Sequence, residues 1–178
     1  MTITAPDVPQ VTSQTWKGHW HGFGPWIGAP VDYAKEGNRR PPHPVRPAPE
    51  AGHADRYQQA AGEFATSSLP PLMSGHWLVK QGQVAADRTW TDVSDAIEWL
   101  TRHYTDNPPF ERTDGGQAYE RLDAKIAYTS DVLPRGVDIA WVHYTQARSL
   151  LSLSVVCCPN LFHPGTPCPL GIGAPALA

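Results

Sequence analysis

Residues 137–158 read VDIAWVHYTQARSLLSLSVVCC. Two runs rich in β-branched, aromatic and leucine residues, 137–144 and 149–157, flank the connector Thr145-Gln146-Ala147-Arg148. A parallel return needs a crossover of a dozen residues or more, so this short link predicts an antiparallel hairpin. Side chains alternate across a strand. Val137, Ile139, Trp141 and His143 therefore share one face, and Leu151, Leu153, Val155 and Cys157 share one face of the partner strand.

The segments before the hairpin supply helices to cover that sheet. TDVSDAIEWLTRHYTDNPP carries the cleanest helical pattern. Asp92 is placed to cap it and Asp95 to complement the first turn, while Val93, Ala96, Ile97, Leu100 and Tyr104 form an apolar stripe and Pro108 and Pro109 follow its end. Residues 55–65 predict a shorter helix, with Asp55 at its start and Tyr57, Ala60, Ala61 and Phe64 on one side. A third is expected from about Gln117 to Val132, ended by Pro134-Arg135-Gly136. GHWLVKQGQVAA, residues 75–86, reads as a strand pair around Gln81-Gly82. Helices interleaved with hairpins give an α+β class, an antiparallel sheet with about three helices on one face.

The chain has 178 residues, enough for one domain with a sizeable core. Residues 1–14 form an expected flexible arm, and 15–178 a single α+β domain with a proline-rich loop at 36–53 and a Cys/His tail at 157–178. With a net charge of −3, the chain lacks the concentrated basic face that nucleic-acid or anionic-membrane binding requires. No stretch has the length and apolarity of a membrane span, and the N-terminus has no basic-then-apolar leader pattern, so a cytoplasmic location with reduced thiols is expected. The bias toward Ala, Pro and Arg over Lys fits high-GC bacterial coding.

The tail, SVVCCPNLFHPGTPCPLGIGAPALA, holds all three cysteines of the chain and one histidine. Cys157, Cys158, His163 and Cys168 offer a donor set that zinc prefers in tetrahedral geometry, and the prolines and Gly165 favour the return turns. Adjacency is the weakness of this set. If the strand runs through both, Cys157 and Cys158 point to opposite faces and at most one binds. The plain alternative makes Cys157 a core residue and leaves His163 and Cys168 incidental. A full set of donors leaves no open position, which makes a metal here structural rather than catalytic.

The second dense feature is GHWHGFGPW, residues 18–26. On a strand, His19 and His21 project from one face, an arrangement that presents two imidazoles to one metal, with Trp16 and Trp20 on the other face. An exposed histidine pair on a half-buried strand is the commoner outcome. Trp20, Phe23, Trp26 and Trp141 are the candidate walls of a small-molecule pocket, with His19, His21 and His143 as its acid/base groups. No nucleophile elbow, zinc-protease helix or dinucleotide fingerprint occurs.

Two functional readings follow. One is a small cytoplasmic enzyme or ligand-binding protein for a small, partly aromatic molecule, with a zinc-type site in its tail. The other is a non-enzymatic interaction module, its tail knotted by zinc, that binds a protein partner through the proline-rich loop. The sequence names no reaction.

Overall fold

The computed structural model describes residues 16–42, 53–114, 119 and 121–173. The expected arm, residues 43–52 of the proline-rich loop, Gln117 and Ala118 at the start of the third expected helix, and 174–178 of the tail lie outside the described residues.

Among the described residues, four strands form one antiparallel sheet: β1 (His19–Gly28), β2 (Thr89–Trp90), β3 (Ile139–Tyr144) and β4 (Leu150–Cys158), in the spatial order β2-β1-β4-β3. The 137–158 hairpin forms as expected, with Trp141 opposite Leu153 and Ile139 opposite Val155. β1 completes the centre of the sheet by pairing along β4, His19 opposite Cys158 and Trp20 opposite Cys157. Every residue of β4 is buried. A strand covered on both faces reads as a near-continuous apolar run rather than an alternating one, which accounts for SVVCC.

The helices are α1 (Pro30–Tyr33), α2 (Ala54–Thr66), α3 (Val93–Asp106) and α4 (Leu122–Val132). Asp92 caps α3 by accepting from the Ser94 backbone N–H at 2.8 Å. α3 buries Ala96, Trp99, Leu100 and Tyr104, and α4 together with the turn after it buries Val132 and Leu133. These residues meet Trp20, Ile139, Trp141, Leu151, Leu153, Val155 and Cys157 in the main core, on one face of the sheet. The class is α+β.

The opposite face is covered differently. A smaller core joins Phe23 and Val156 of the sheet to Trp77 and Leu78. Residues 75–86, expected as a strand pair, instead form successive 3₁₀ turns at Ser74–Val79 and Gln81–Gln83. The neighbours Trp77 and Leu78 are both buried, and a strand cannot send adjacent side chains to the same side. Lys80 is buried too, its Nζ donating to the carbonyls of Phe64 and Ser67 at 2.8 Å each. α2 is thus anchored on this 3₁₀ segment, while α3 and α4 make the helical layer on the far side.

Candidate metal centre

The face carrying Phe23 and Val156 also carries His19, His21 and Cys158. Pairing of His19 with Cys158 sets these side chains side by side across two strands, and His21 lies two residues along the same face. The chain must then return to supply a fourth group. Asn160 directs that return from just beyond β4. Its side-chain oxygen accepts from the backbone N–H groups of Phe162 and His163 at 3.0 and 3.1 Å. Its amide donates to both Asp138 carboxylate oxygens at 2.9 Å. Asp138 also accepts from the Cys157 backbone N–H at 2.9 Å, which ties the turn to the strand end. A further turn, Thr166 N–H to the His163 carbonyl at 3.0 Å, brings Cys168 back over the sheet.

The result is a cluster of His19, His21, Cys158 and Cys168 whose donor atoms all lie within 4.8 Å of one another. The Nε2 atoms of His19 and His21 are 3.0 Å apart. Cys168 Sγ lies 3.3 Å from His19 Nε2 and 3.6 Å from His21 Nε2. Zn–N and Zn–S bonds in a tetrahedron put neighbouring nitrogens about 3.3 Å apart and a nitrogen and a sulfur about 3.6 Å apart. These three separations are close to those of a tetrahedral coordination shell, and the cluster could hold a metal ion.

The protonation states favour it. The single hydroxyl proton of Thr89 goes to the Ala85 carbonyl at 2.9 Å, so in its 2.8 Å bond to His21 the threonine oxygen accepts and Nδ1 donates. That leaves the Nε2 lone pair of His21 facing the cluster, as a metal-bound imidazole requires. Burial, and then the His19 charge, push His21 down to about 4; burial lowers His19 as well. Both rings are thus neutral at ordinary pH. Burial and the neighbouring Cys168 thiol raise Cys158, a cost that a bound cation reverses by stabilising the thiolate.

Two members of the tail set expected from sequence, Cys157 and His163, lie apart from this cluster. Cys157 faces the helical core, fully buried, because β4 continues through both cysteines and alternation turns this one away. Its thiol is pushed up, first by burial and then by Asp138. His163 follows the Asn160 turn away from the cluster and lies against His76, ring centres 4.5 Å apart. Gly75 makes room for it, since a Cβ there would stand 2.3 Å from His163 Cδ2. His19 and His21, expected as acid/base groups, take the two vacated places. His143 lies apart, buried on β3 beside Tyr104 with its Nε2 bonded to the Asn107 carbonyl at 2.8 Å.

The expected aromatic walls do not converge on one cavity. Trp20 and Trp141 belong to the main core, and their indole N–H groups donate to the Leu133 carbonyl and to Thr129. Phe23 stacks on Trp77 with ring centres 4.8 Å apart. Trp26 is half-buried beside Tyr33. Sequence reasoning missed Thr89, Asn160 and Gly75; the Pro159-Asn160 pair was the visible turn signal for the second.

Fold and site together define an α+β protein with a His₂Cys₂ cluster on the sheet. Comparison with protein-family models, curated proteins and solved structures finds no match.

Proposed function

We propose that the protein binds one zinc-type ion at His19, His21, Cys158 and Cys168, and that the ion is structural, pinning the tail to the sheet. The 3.0 Å approach of two neutral imidazole nitrogens, with a thiol sulfur 3.3 and 3.6 Å away, carries this reading. Two imidazoles and two thiols suit zinc, and filling all positions leaves none for a substrate. On this reading the protein is a binding module whose tail is knotted by metal.

The test is elemental analysis of the purified chain, with a parallel count of reactive thiols. The expected result is about one equivalent of zinc, lost in Cys168→Ala, with two thiols becoming reactive only after chelation. No metal, or full metal retention in Cys168→Ala, overturns the proposal.

A catalytic centre is the second reading. A cavity of about 340 Å³ borders His19, Cys158 and Cys168. Cys168 is the least buried of the donors, so release of its sulfur would open a fourth position to water or a small substrate. Activity toward a small hydrolysable substrate that survives Cys168→Ala, with metal retained, would favour this reading.

A further inference from the structure

The three thiols of the chain, Cys157, Cys158 and Cys168, are free, and their placement decides which two can join. The sulfurs of Cys158 and Cys168 belong to one cluster and lie no more than 4.8 Å apart. Cys157 is turned into the helical core on the opposite face of the sheet, its sulfur 4.0 Å from the Leu133 carbonyl oxygen. Alternation along β4 therefore leaves Cys168 a single neighbour for a sulfur–sulfur bond, although the two candidates are adjacent in the chain.

The paired sulfurs differ in exposure and in support. Cys158 is buried at the end of β4 and held there by its pairing with His19. Cys168 is partly exposed and lies outside any helix or strand, on the loop that returns from the Asn160 turn. Two sulfurs bound to zinc in a tetrahedron stand about 3.8 Å apart, and a disulfide bond is about 2.0 Å long. Closing that gap is a small movement, and it falls to the loop.

The cavity of about 340 Å³ reaches both sulfurs. Pro159, Pro164, Pro167 and Ile172 are among its walls, and none of its described lining residues is Asp, Glu, Lys or Arg. Such a space admits a small neutral reagent. It offers no cation to a large anionic one.

We infer that Cys158 and Cys168 form a site of reversible covalent modification, at which a small neutral hydroperoxide converts the two thiolates to a disulfide and the bound ion leaves. Release of the ion rests on the metal reading above, whereas the choice of sulfurs rests on the fold alone. The Cys168 thiolate attacks one peroxide oxygen and breaks the O–O bond, giving a sulfenic acid and, from hydrogen peroxide, one hydroxide. The Cys158 thiolate then attacks the Cys168 sulfur and expels a second hydroxide. Both hydroxides take protons from solvent and leave as water. The two sulfurs lose two electrons and the two peroxide oxygens gain them. A disulfide no longer supplies thiolate ligands, so the ion keeps only the two imidazoles and dissociates. The loop stays tied to the sheet, by a covalent bond in place of the ion.

The test uses the full chain as purified, with its zinc content measured first. Samples receive hydrogen peroxide or oxidised glutathione at equal concentration. A chromophoric chelator reports released zinc, a count in denaturant reports remaining thiols, and differential alkylation with fragment sequencing by mass spectrometry tells Cys157 from Cys158. The thiol count should fall from three to one, with Cys157 the survivor and about one zinc released per disulfide. A dithiol reductant should restore all thiols. Peroxide should act at least about tenfold faster than oxidised glutathione, which the cavity does not suit. Cys157→Ala should form the same disulfide. A disulfide that includes Cys157, a link between two chains, sulfinic acid on Cys168 beside a free Cys158, zinc retained after the disulfide has formed, no loss of thiols, or oxidised glutathione acting as fast as peroxide each overturns the inference. Zinc absent from the starting protein fails the metal reading instead, and sequencing of the same sample then decides the sulfur pair. That result on the unaltered chain stands even if the variant does not fold.

Discussion

Cys157 and Cys158 are neighbours with opposite surroundings, one in the helical core and one beside His19. Cys157→Ala should keep the bound metal and cost only about 1 kcal/mol of stability, a typical loss for a small core truncation. Cys158→Ala should lose the metal. Metal content and melting temperature of the two variants check this, and metal loss from the first would reverse the assignment of faces. Thr89 acts one step removed. Thr89→Val leaves His21 Nδ1 without its acceptor and frees the ring to rotate, so metal affinity should fall by about 10- to 100-fold while the fold persists. Competition with a chromophoric chelator measures it. Part of this was legible in the sequence. Strand alternation separates Cys157 from Cys158, and the H-x-H spacing puts His19 and His21 on one face. The meeting of Cys168 with His19 was not, because they are 149 residues apart and only strand pairing and the Asn160 turn join them.

At the scale of elements, periodicity served where an element packs by one face or alternates, and failed where it does neither. α3 and the β3–β4 hairpin follow their apolar patterns closely. The 75–86 segment does not, because its turns place Trp77, Leu78 and Lys80 inward together, and the alternation of a strand does not produce that set. Gly75 is the packing point between this segment and the tail. Gly75→Ala drives a methyl group into the His163 ring and the Asn160 amide, at 2.3 and 2.9 Å, and should destabilise by about 1–3 kcal/mol in a chemical denaturation curve. Lys80 gives the segment a signature in pH. Burial holds its folded pKa at about 8, below the ordinary 10.5. Between these values the unfolded chain holds the proton and the folded chain releases it, so this group raises stability as pH climbs from about 8 to about 10.5. Its full contribution is roughly 3 kcal/mol at about 1.4 kcal/mol per unit. Lys80→Met should remove that rise, visible as a difference in slope between variant and wild type that other groups, common to both, do not affect.

For the whole molecule, the proposed ion and the histidines act on one equilibrium. A ligand that binds only the folded chain adds about 2.7 kcal/mol when present at a hundredfold excess over its Kd. At about 2–4 °C per kcal/mol for a chain of this size, chelation should lower the melting temperature by roughly 5–11 °C. Acid should do the same by another route. His19, His21, His76, His103 and His143 all have folded pKa values lowered mainly by burial, His21 to about 4. A histidine lowered in this way takes a proton more readily when unfolded. Its contribution is therefore intact above the ordinary value of about 6.5 and is lost as pH falls through it toward the folded value. His21 alone accounts for roughly 3 kcal/mol between pH 6.5 and 4 in the metal-free chain. Bound metal steepens the dependence, because each imidazole that takes a proton ceases to be a ligand. Denaturation of the chelated protein from pH 7.5 to 4 should show this decline, and the zinc-loaded protein should start higher, fall more steeply and release its ion as the two curves converge. Parallel curves would mean that the ion sits away from His19 and His21, and a chelated protein equally stable at pH 7 and 4.5 would mean that these rings are not buried as neutral groups.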